Sequence, residues 1–407
     1  MNPSVRKIAY VISAFPVASE TFITTEMRTL KKIGIEIQPI CFERMNNDCQ
    51  PGDEEFLLQI ESTESIRLLE LLPLLPTILV KLFISGWKGL YFAFQQQGIR
   101  PRSLIFHALK LALIIHKSSC DHVHAHFAWS ATATAIVAAR LLGLKVSFTG
   151  HGSDVYKTPS DLQLKLQNAD FSIAVCKRMQ DDFFNLAPDA NVFVIPCGID
   201  TDYFKPTPAN LKMPVNFLYL GRISETKGVD HLIHAIALMQ PEDRPNIDIA
   251  GDGPWNEMCK KLVAELGVGH WVNFVGQVNR DWVRRNASAY RAMVLPFCKT
   301  PEGIMDTGPL VLKEAMALKV PLITTDIMAG GELLDGNSAT IVRSADAQGL
   351  AAAIKEHVNI PENQSKSADI GRKTERAYRI VMQRFSARQQ ALSLLSLMHT
   401  SGGRHER

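Results

Sequence analysis

Short apolar segments alternate with longer amphipathic segments along almost the whole chain. The apolar segments are rich in Val, Ile, Leu and Phe and often border Gly, Pro, Asn or Asp, which is typical of buried strands. They predict strands at residues 8–12, 35–40, 122–126, 145–148, 171–175 and 192–195, and then at 215–220, 247–250, 272–275, 293–295, 322–324 and 340–342. Because segments of helical length separate these strands, we expect an α/β fold with parallel sheets.

The length of the chain and one proline-rich polar stretch divide it into two domains. A chain of 407 residues is longer than a single hydrophobic core ordinarily serves. We predict a first domain at 1–205, a linker at 206–214, a second domain at 215–364 and a helical tail at 365–398. Each domain is expected to be doubly wound and Rossmann-like. Ligands bind such sheets at the carboxyl ends of the strands, so we expect the two domains to face each other across a cleft.

Composition, charge and motifs exclude some classes of protein and favour others. Apolar residues make up 46% and charged residues 21%, which is typical of a soluble globular protein. The net charge of +3 gives no reason to expect a nucleic-acid partner. The seven cysteines form no CxxC pair, and the first apolar segment resembles a strand rather than a secretion signal, so we expect a cytoplasmic protein. No GxGxxG follows the first strand, which speaks against NAD or FAD.

Residues 61–102 interrupt the alternation of strands and helices with a leucine-rich insertion. Aromatic residues (Trp87, Tyr91) and basic residues follow the leucines, a composition that suits the interface of a membrane. The most apolar run, 71–80, is too short to span a bilayer, which needs about 20 residues. Two interpretations stay open: a helical insertion packed on the sheet, and contact of residues 68–102 with the inner face of a membrane.

The stretch LGRISETKG at 220–228 follows a predicted strand and opens a helix. Gly221 lets the backbone approach a ligand closely, and Arg222 and Lys227 place two cations near a helix N-terminus. Arg binds phosphate oxygens in fork geometry, and Lys adds a mobile charge. The alternatives are a diphosphate site and a basic surface turn.

Two further motifs follow strands of the second half. Gly251 and Gly253 belong to a tight turn, GDGP, after the strand at 247–250. The loop after the strand at 293–295 carries two acids and leads into a helix that bears Glu314. Carboxylates at this end of a sheet accept hydrogen bonds from sugar or ribose hydroxyls, and the start of the helix favours an anion.

In this order the motifs resemble those of glycosyltransferase family 4. VIPCGID at 194–200 and FKP at 204–206 are similar to the family's pattern at the end of the first domain, and GGELL at 330–334 resembles a later turn on the nucleotide side. The first domain resembles the branch that builds bacterial exopolysaccharides, including colanic acid, through three motifs: FPVASETFI at 15–23, HAHF at 124–127 and TGHGSDVY at 149–156.

The resemblance implies a GT-B fold and retaining, metal-independent transfer of a sugar from a UDP- or GDP-linked donor to a hydroxyl of a glycan or lipid-linked glycan acceptor. It implies no enzyme nucleophile and no cofactor, and the tail would cross back to the first domain. By motif match, the catalytic residues would be His126, Arg222, Lys227 and Glu302. The donor site would be formed by Gly221, Arg222, Lys227, Gly251, Gly253, Glu302, Asp306, Thr307, Gly308, Pro309, Leu310 and Glu314. The acceptor side would include Ser19, Glu20, Thr21, His126 and His151.

One spacing departs from the family pattern of an acid, seven residues and then Glu. Counting back from Glu314 leads to Asp306, whereas Glu302 begins the recognisable EGI run. If residues 305–308 are an insertion, Glu302 keeps the role of donor-sugar acid, and this is the assignment that we favour from sequence. Otherwise Asp306 has taken the role with a shorter side chain.

Three other functions are weighed against the transferase. A nucleotide-sugar epimerase would bind the same donor but would need acid and base groups beside the sugar carbon. A non-catalytic glycan-binding member is supported by the disturbed acid spacing alone. His122, His124 and His126 alternate on a strand and share a face, which suits a metal hydrolase, but no HExxH accompanies them. The DxD at 200–202 lies in a turn and is interpreted as a coincidence.

Overall fold

The computed structural model describes residues 5–17, 19–46, 49–206, 216–327, 332–359 and 365–400. The chain divides into two compact units. The first comprises Met1–Cys197 together with Ala387–Arg407, and the second comprises Gly198–Ser386.

The first unit is built on a parallel sheet with helices between its strands. Its strands are β1 (Lys7–Phe15), β2 (Glu36–Arg44), β3 (Glu61–Ser62), β4 (His122–His126), β5 (Lys145–Gly150), β6 (Phe171–Ala174) and β7 (Val192–Val194), in the order β3-β2-β1-β4-β5-β6-β7. Its helices are α1 (Thr21–Lys32), α2 (Glu54–Gln59), α3 (Leu75–Lys81), α4 (Trp87–Gln95), α5 (Pro101–Lys117), α6 (Ser130–Leu142), α7 (Leu162–Asn168) and α8 (Lys177–Leu186), with α15 (Ala387–Thr400) from the end of the chain. The central strand β4 is buried along its whole length, as expected for a parallel sheet covered on both faces.

The second unit repeats the architecture with a six-stranded parallel sheet. Its strands are β8 (Asn216–Leu220), β9 (Asn246–Ala250), β10 (Val272–Gly276), β11 (Ala292–Leu295), β12 (Leu322–Thr325) and β13 (Thr340–Val342), in the order β10-β9-β8-β11-β12-β13. Its helices are α9 (Val229–Leu238), α10 (Asn256–Glu265), α11 (Arg280–Asn286), α12 (Leu310–Ala317), α13 (Ala347–Val358) and α14 (Ser365–Arg384). The strand order reverses at β8, which makes its carboxyl end the position where such sheets bind ligands.

Each of the twelve predicted strands has a counterpart in the structure. The two-residue edge strand β3 was not predicted, because two residues carry no periodic pattern. It pairs with β2, so the leucine-rich insertion starts after β3 rather than at residue 61.

The structure moves both predicted domain boundaries. The first unit ends at Cys197 instead of residue 205, because Ile199 pairs with Ser386 and Phe204 packs into the core of the second unit. The predicted linker at 206–214 lies, apart from residue 206, outside the described residues. The predicted tail is two helices: α14 packs on the second unit and α15 on the first, so the chain passes between the units after Ser386.

The insertion forms a series of helical turns between β3 and α5. A 3₁₀ helix (Leu68–Leu74) leads into α3, a π turn (Leu82–Gly86) and α4. Together, Leu69–Gln95 make a helical stretch of 27 residues whose most apolar 18-residue window has a mean hydropathy of 1.7, which meets the length and composition of a membrane-crossing helix. Only 17% of its most apolar window is buried, so it differs from the core helix of a soluble domain.

Candidate functional site

The loops that follow β8 and β9 meet backbone against backbone. The Gly221 N–H donates to the Ala250 carbonyl at 3.0 Å. Gly251 has φ +145°, and a Cβ placed there would lie 1.9 Å from the carbonyl oxygen of Gly221. Gly251 is therefore required by the close approach of the two loops, and Gly221 is favoured by its own φ of +146°.

The next turn of each loop continues this contact. The Ile223 N–H donates to the Asp252 carbonyl at 2.9 Å, and the Trp255 N–H donates to the Ile223 carbonyl at 3.1 Å. A Cβ at Gly253 would lie 2.3 Å from the Ile223 carbonyl oxygen. Arg222 lies between these contacts, with its side chain exposed at the carboxyl end of the sheet.

Lys227 lies where the loop after β8 touches the loop after β11. The neighbouring Gly228 has φ +65°, and a Cβ there would lie 2.0 Å from the Pro296 carbonyl oxygen. The ammonium group of Lys227 forms an ion pair with Asp306 and lies 4.8 Å from the ring centroid of Phe297. The side chains of Lys227 and Asp306 are 18% and 20% exposed. A cation is thus held, largely buried, beside the exposed Arg222 loop.

The two candidate acids, Asp306 and Glu302, differ in burial and in charged partners. Burial would raise the pKa of Asp306, but the charge of Lys227 and N–H groups of the following backbone outweigh it and lower the pKa below its usual range. Glu302 lies exposed in a turn closed by Thr300, where local hydrogen bonds lower its pKa. Asp306, and not Glu302, is therefore the acid that the fold places against Lys227.

Glu314 lies in α12, the helix that follows this loop. Gly308 has φ +140° and donates its N–H to the Asp306 carboxylate at 3.3 Å, which links the acid to the start of the helix through Thr307, Pro309 and Leu310. Burial raises the pKa of Glu314 to about 7, and the positive charge of Arg280 lowers it only in part. Hydrogen bonds donated by ligand hydroxyls would stabilise the ionised form of this buried carboxyl.

In the first unit, the predicted acceptor-side histidines belong to a buried network. His126 Nδ1 lies 3.1 Å from His151 Nε2, and His126 Nε2 lies 3.4 Å from a carboxylate oxygen of Glu26. His151 Nδ1 lies 3.9 Å from the Cys197 sulfur. Burial lowers the pKa of His151, which keeps this ring neutral. Both nitrogens of His126 face protein groups, so a contact with an acceptor would require its ring to turn.

Glu26 is a residue that the motifs did not single out. It is buried on α1, where it accepts hydrogen bonds from the Tyr10 hydroxyl and from the Gln390 amide of α15. The available signal was a charged residue among the apolar positions Ile23, Met27 and Leu30 of an amphipathic helix.

A second pair of buried charges positions the loops after β4 and β5. The Asp154 carboxylate accepts hydrogen bonds from the N–H groups of Ala128 at 2.6 Å and His151 at 2.9 Å. The Lys165 ammonium donates to the Ala128 carbonyl at 2.8 Å. Burial raises the pKa of Asp154 to about 6 and lowers that of Lys165 to about 8. These contacts hold His151 in place beside His126.

The remaining acceptor-side candidates lie at the start of α1. Ser19 is exposed, and the helix begins at Thr21 without a side-chain cap. Burial raises the pKa of Glu20 to about 7, and its side chain lines a small depression together with Phe15 and Asp53.

Two of the three strand histidines are engaged in hydrogen bonds with the neighbouring strand β5. His122 and His124 both contact the Ser147 hydroxyl at 2.8 Å, and His124 Nε2 contacts Thr149 at 3.1 Å. Nitrogen and oxygen atoms of Glu26, His124 and His126 lie within 4.8 Å of one another, as metal ligands would. His124 and Glu26 also have hydrogen-bond partners in the protein, so the cluster forms part of a buried polar network.

The DxD acid Asp200 closes a turn. Its carboxylate accepts hydrogen bonds from the N–H groups of Asp202 and Tyr203, each at 3.1 Å. This is an ordinary local role for an Asp at the start of a turn, which supports the interpretation of the motif as a coincidence.

Two family models match the chain. The model described as Glycosyl transferases group 1 matches residues 201–374, and Glycosyltransferase Family 4 matches residues 90–203. TuaC of Bacillus subtilis, named for teichuronic acid biosynthesis, is 26% identical over 86% of this chain and 89% of its own length. WcaL of Salmonella typhimurium, named for colanic acid biosynthesis, is 25% identical over 97% of this chain and 100% of its own.

Solved structures share the fold. Anabaena HepE in complex with UDP superimposes with a TM-score of 0.70 at 17% identity, covering 97% of this chain and 99% of HepE. The two Rossmann-like sheets, the ordered motifs and the two family models together show that this chain belongs to the family 4 glycosyltransferases and is a glycosyltransferase of GT-B fold.

Proposed function

We propose that the protein is a retaining, metal-independent glycosyltransferase that moves a sugar from a UDP- or GDP-sugar to a hydroxyl of a glycan or lipid-linked glycan acceptor. The observation that carries this proposal is the joined carboxyl ends of β8, β9 and β11, which hold Lys227 and Asp306 beside Arg222. The names of TuaC and WcaL support a role in exopolysaccharide or other cell-surface glycan synthesis. The seven cysteines are all described and none of them forms a disulfide, which is consistent with work in the cytoplasm.

In this proposal the two cations stabilise the leaving group. As the bond from the sugar carbon to the phosphate oxygen breaks, its electron pair stays on the nucleoside diphosphate. Arg222 is exposed and free to form paired hydrogen bonds to phosphate oxygens, and Lys227 contributes a desolvated charge. The acceptor oxygen forms the new bond to the sugar carbon, and its proton passes to a phosphate oxygen of the leaving diphosphate.

The acids of the second unit would hold the rest of the donor. Asp306 is ionised beside Lys227, so it is suited to accept hydrogen bonds from sugar hydroxyls. Glu314 would accept hydrogen bonds from the ribose hydroxyls. Two cations and two acids around a turn of small residues give a site for a diphosphate joined to two hydroxylated rings.

The test begins with calorimetric titration of UDP and of GDP into the purified protein in EDTA. We expect one of the two to bind without metal, and that nucleotide identifies the donors to try in transfer assays. Lys227→Ala should lower kcat on the order of 100-fold through lost leaving-group stabilisation. Lys260→Ala is the matched control, because among the described residues Lys260 pairs only with Glu257, on the surface of α10.

Three results would contradict the proposal. Binding that requires a divalent metal would contradict metal independence. Unchanged turnover in folded Lys227→Ala would remove the role of this cation. A product whose anomeric configuration is opposite to that of the donor, seen by NMR, would exclude retention.

A further inference from the structure

The segment Leu69–Gln95 packs on the protein by one narrow side. Phe92 is fully buried, and a Cβ at Gly89 would lie 2.9 Å from Cβ of Arg140 on α6. The Ser85 hydroxyl donates to the Arg140 carbonyl at 2.8 Å. These contacts fix the segment along α6 and determine which of its sides faces outward.

The outward side is also apolar. Phe83 is 87% exposed, Leu69 is 78% exposed, and Ile84 and Phe94 are each 67% exposed. A surface helix of a soluble protein presents polar residues on this side, and an apolar surface of this extent on a folded protein marks a binding surface. Trp87 and Tyr91 lie exposed in the same row, and these are the residue types that concentrate at the membrane interface.

The charge around the segment is strongly one-sided. Residues 67–117 contain seven Lys and Arg residues and a single acid, Glu70, so seven cations less one anion give +6 in a chain whose total is +3. Glu70 lies 3.6 Å from Lys117, which offsets its charge locally. This surface therefore complements an anionic one, and it would repel a second copy of itself.

We propose that Leu69–Gln95 lies flat in the interface of an anionic lipid bilayer, with its outward side chains among the acyl chains and the surrounding cations on the headgroups. A membrane-spanning arrangement would place Lys81 and Lys88 in the hydrocarbon and would break the contacts with α6. The interfacial arrangement keeps those contacts and lets both lysines reach the headgroups. It does not depend on the donor, the acceptor or the transfer reaction.

The test measures binding of the full chain to vesicles by sedimentation. We compare phosphatidylcholine vesicles with vesicles that also contain phosphatidylglycerol. The wild type should bind the anionic vesicles on the order of 10-fold more strongly or better. Phe83→Ser combined with Ile84→Ser should weaken that binding on the order of 100-fold, because the variant loses the favourable transfer of two apolar side chains from water into the bilayer.

Leu58→Ser is the control for loss of an exposed apolar residue, because Leu58 is 89% exposed on α2, outside the segment. It should bind like the wild type. Circular dichroism confirms the fold of each variant. Equal binding by the wild type and the double variant would overturn the proposal. The proposal would also be overturned if the protein does not bind vesicles but self-associates, and the double substitution abolishes that self-association. It would likewise be overturned if detergent releases the membrane-bound protein and alkaline carbonate does not, as for a membrane-spanning protein. Nucleotide binding, measured separately, should be the same in all variants, so that failure here leaves the transferase proposal intact.

Discussion

The roles of Asp306 and Glu302 can be separated by removing one charge at a time. Asp306→Asn and Glu302→Gln keep the size and shape of each side chain. The structure predicts unequal effects, because Asp306 is paired with Lys227 in a largely buried position and Glu302 is exposed with only local hydrogen bonds.

The expected magnitude follows from burial. Exposed ion pairs contribute about 0–1 kcal/mol, and removing one partner of a fully buried pair costs about 3–5 kcal/mol. Because the Lys227 and Asp306 side chains are about four-fifths buried, with exposures of 18% and 20%, Asp306→Asn should lower the free energy of unfolding by about 2 kcal/mol. That corresponds to a fall in Tm of about 5 °C for a unit of this size. Glu302→Gln should change stability by less than about 0.5 kcal/mol.

Catalysis should show the same order. If Asp306 accepts hydrogen bonds from the donor sugar, its loss removes charge-assisted bonds and should lower kcat/KM about 10- to 100-fold. The assays are calorimetric unfolding and initial rates of sugar transfer. A double-mutant cycle with Lys227→Met should return a coupling free energy of about 1–2 kcal/mol in the free protein. A larger loss of transfer in Glu302→Gln than in Asp306→Asn would refute the reasoning and restore Glu302 as the donor-sugar acid.

Two further predictions concern the same unit. Gly251→Ala should destabilise it by about 4 kcal/mol, because the new Cβ would clash with the Gly221 carbonyl. The control is Gly267→Ala, which should cost about 1 kcal/mol because Gly267 also has a positive φ, +65°, but no atom within 4 Å of the new Cβ. Equal losses of stability in chemical unfolding would contradict the backbone contact. Nucleotide affinity should rise with pH through about 7, because burial raises the pKa of Glu314 to about 7 and the ionised carboxylate accepts both ribose hydroxyls. Glu314→Gln should remove this part of the pH dependence while the titration of the diphosphate remains. If calorimetry gives the same dependence of affinity on pH in the wild type and in Glu314→Gln, Glu314 does not bind the ribose as proposed.

Local patterns in the sequence were sufficient to predict the fold. Buried parallel strands are short apolar runs between breakers, so each of the twelve predicted strands was located from its own residues. The glycines of the β8 and β9 loops were recognisable for the same reason, because a turn that approaches a backbone closely needs Gly wherever it lies. The strand β3, with two residues, was too short for such a pattern.

Contacts between distant residues required the tertiary structure. Lys227 and Asp306 are 79 positions apart, and they meet because the sheet order places β8 beside β11. From sequence, the spacing to Glu314 left two acids available, and the match to the EGI run favoured Glu302. Spacing along a loop does not determine which of its residues folds back on the sheet.

The sequence by itself determined the strands, the order of the motifs and, through them, the family. The tertiary structure decided the partner of Lys227, the passage of the chain between the units after Ser386 and the burial of Glu26 among Tyr10, His126 and Gln390. The physical reason is that hydrophobic periodicity reports which side of an element is buried, whereas the partner of a buried charge depends on which elements become neighbours.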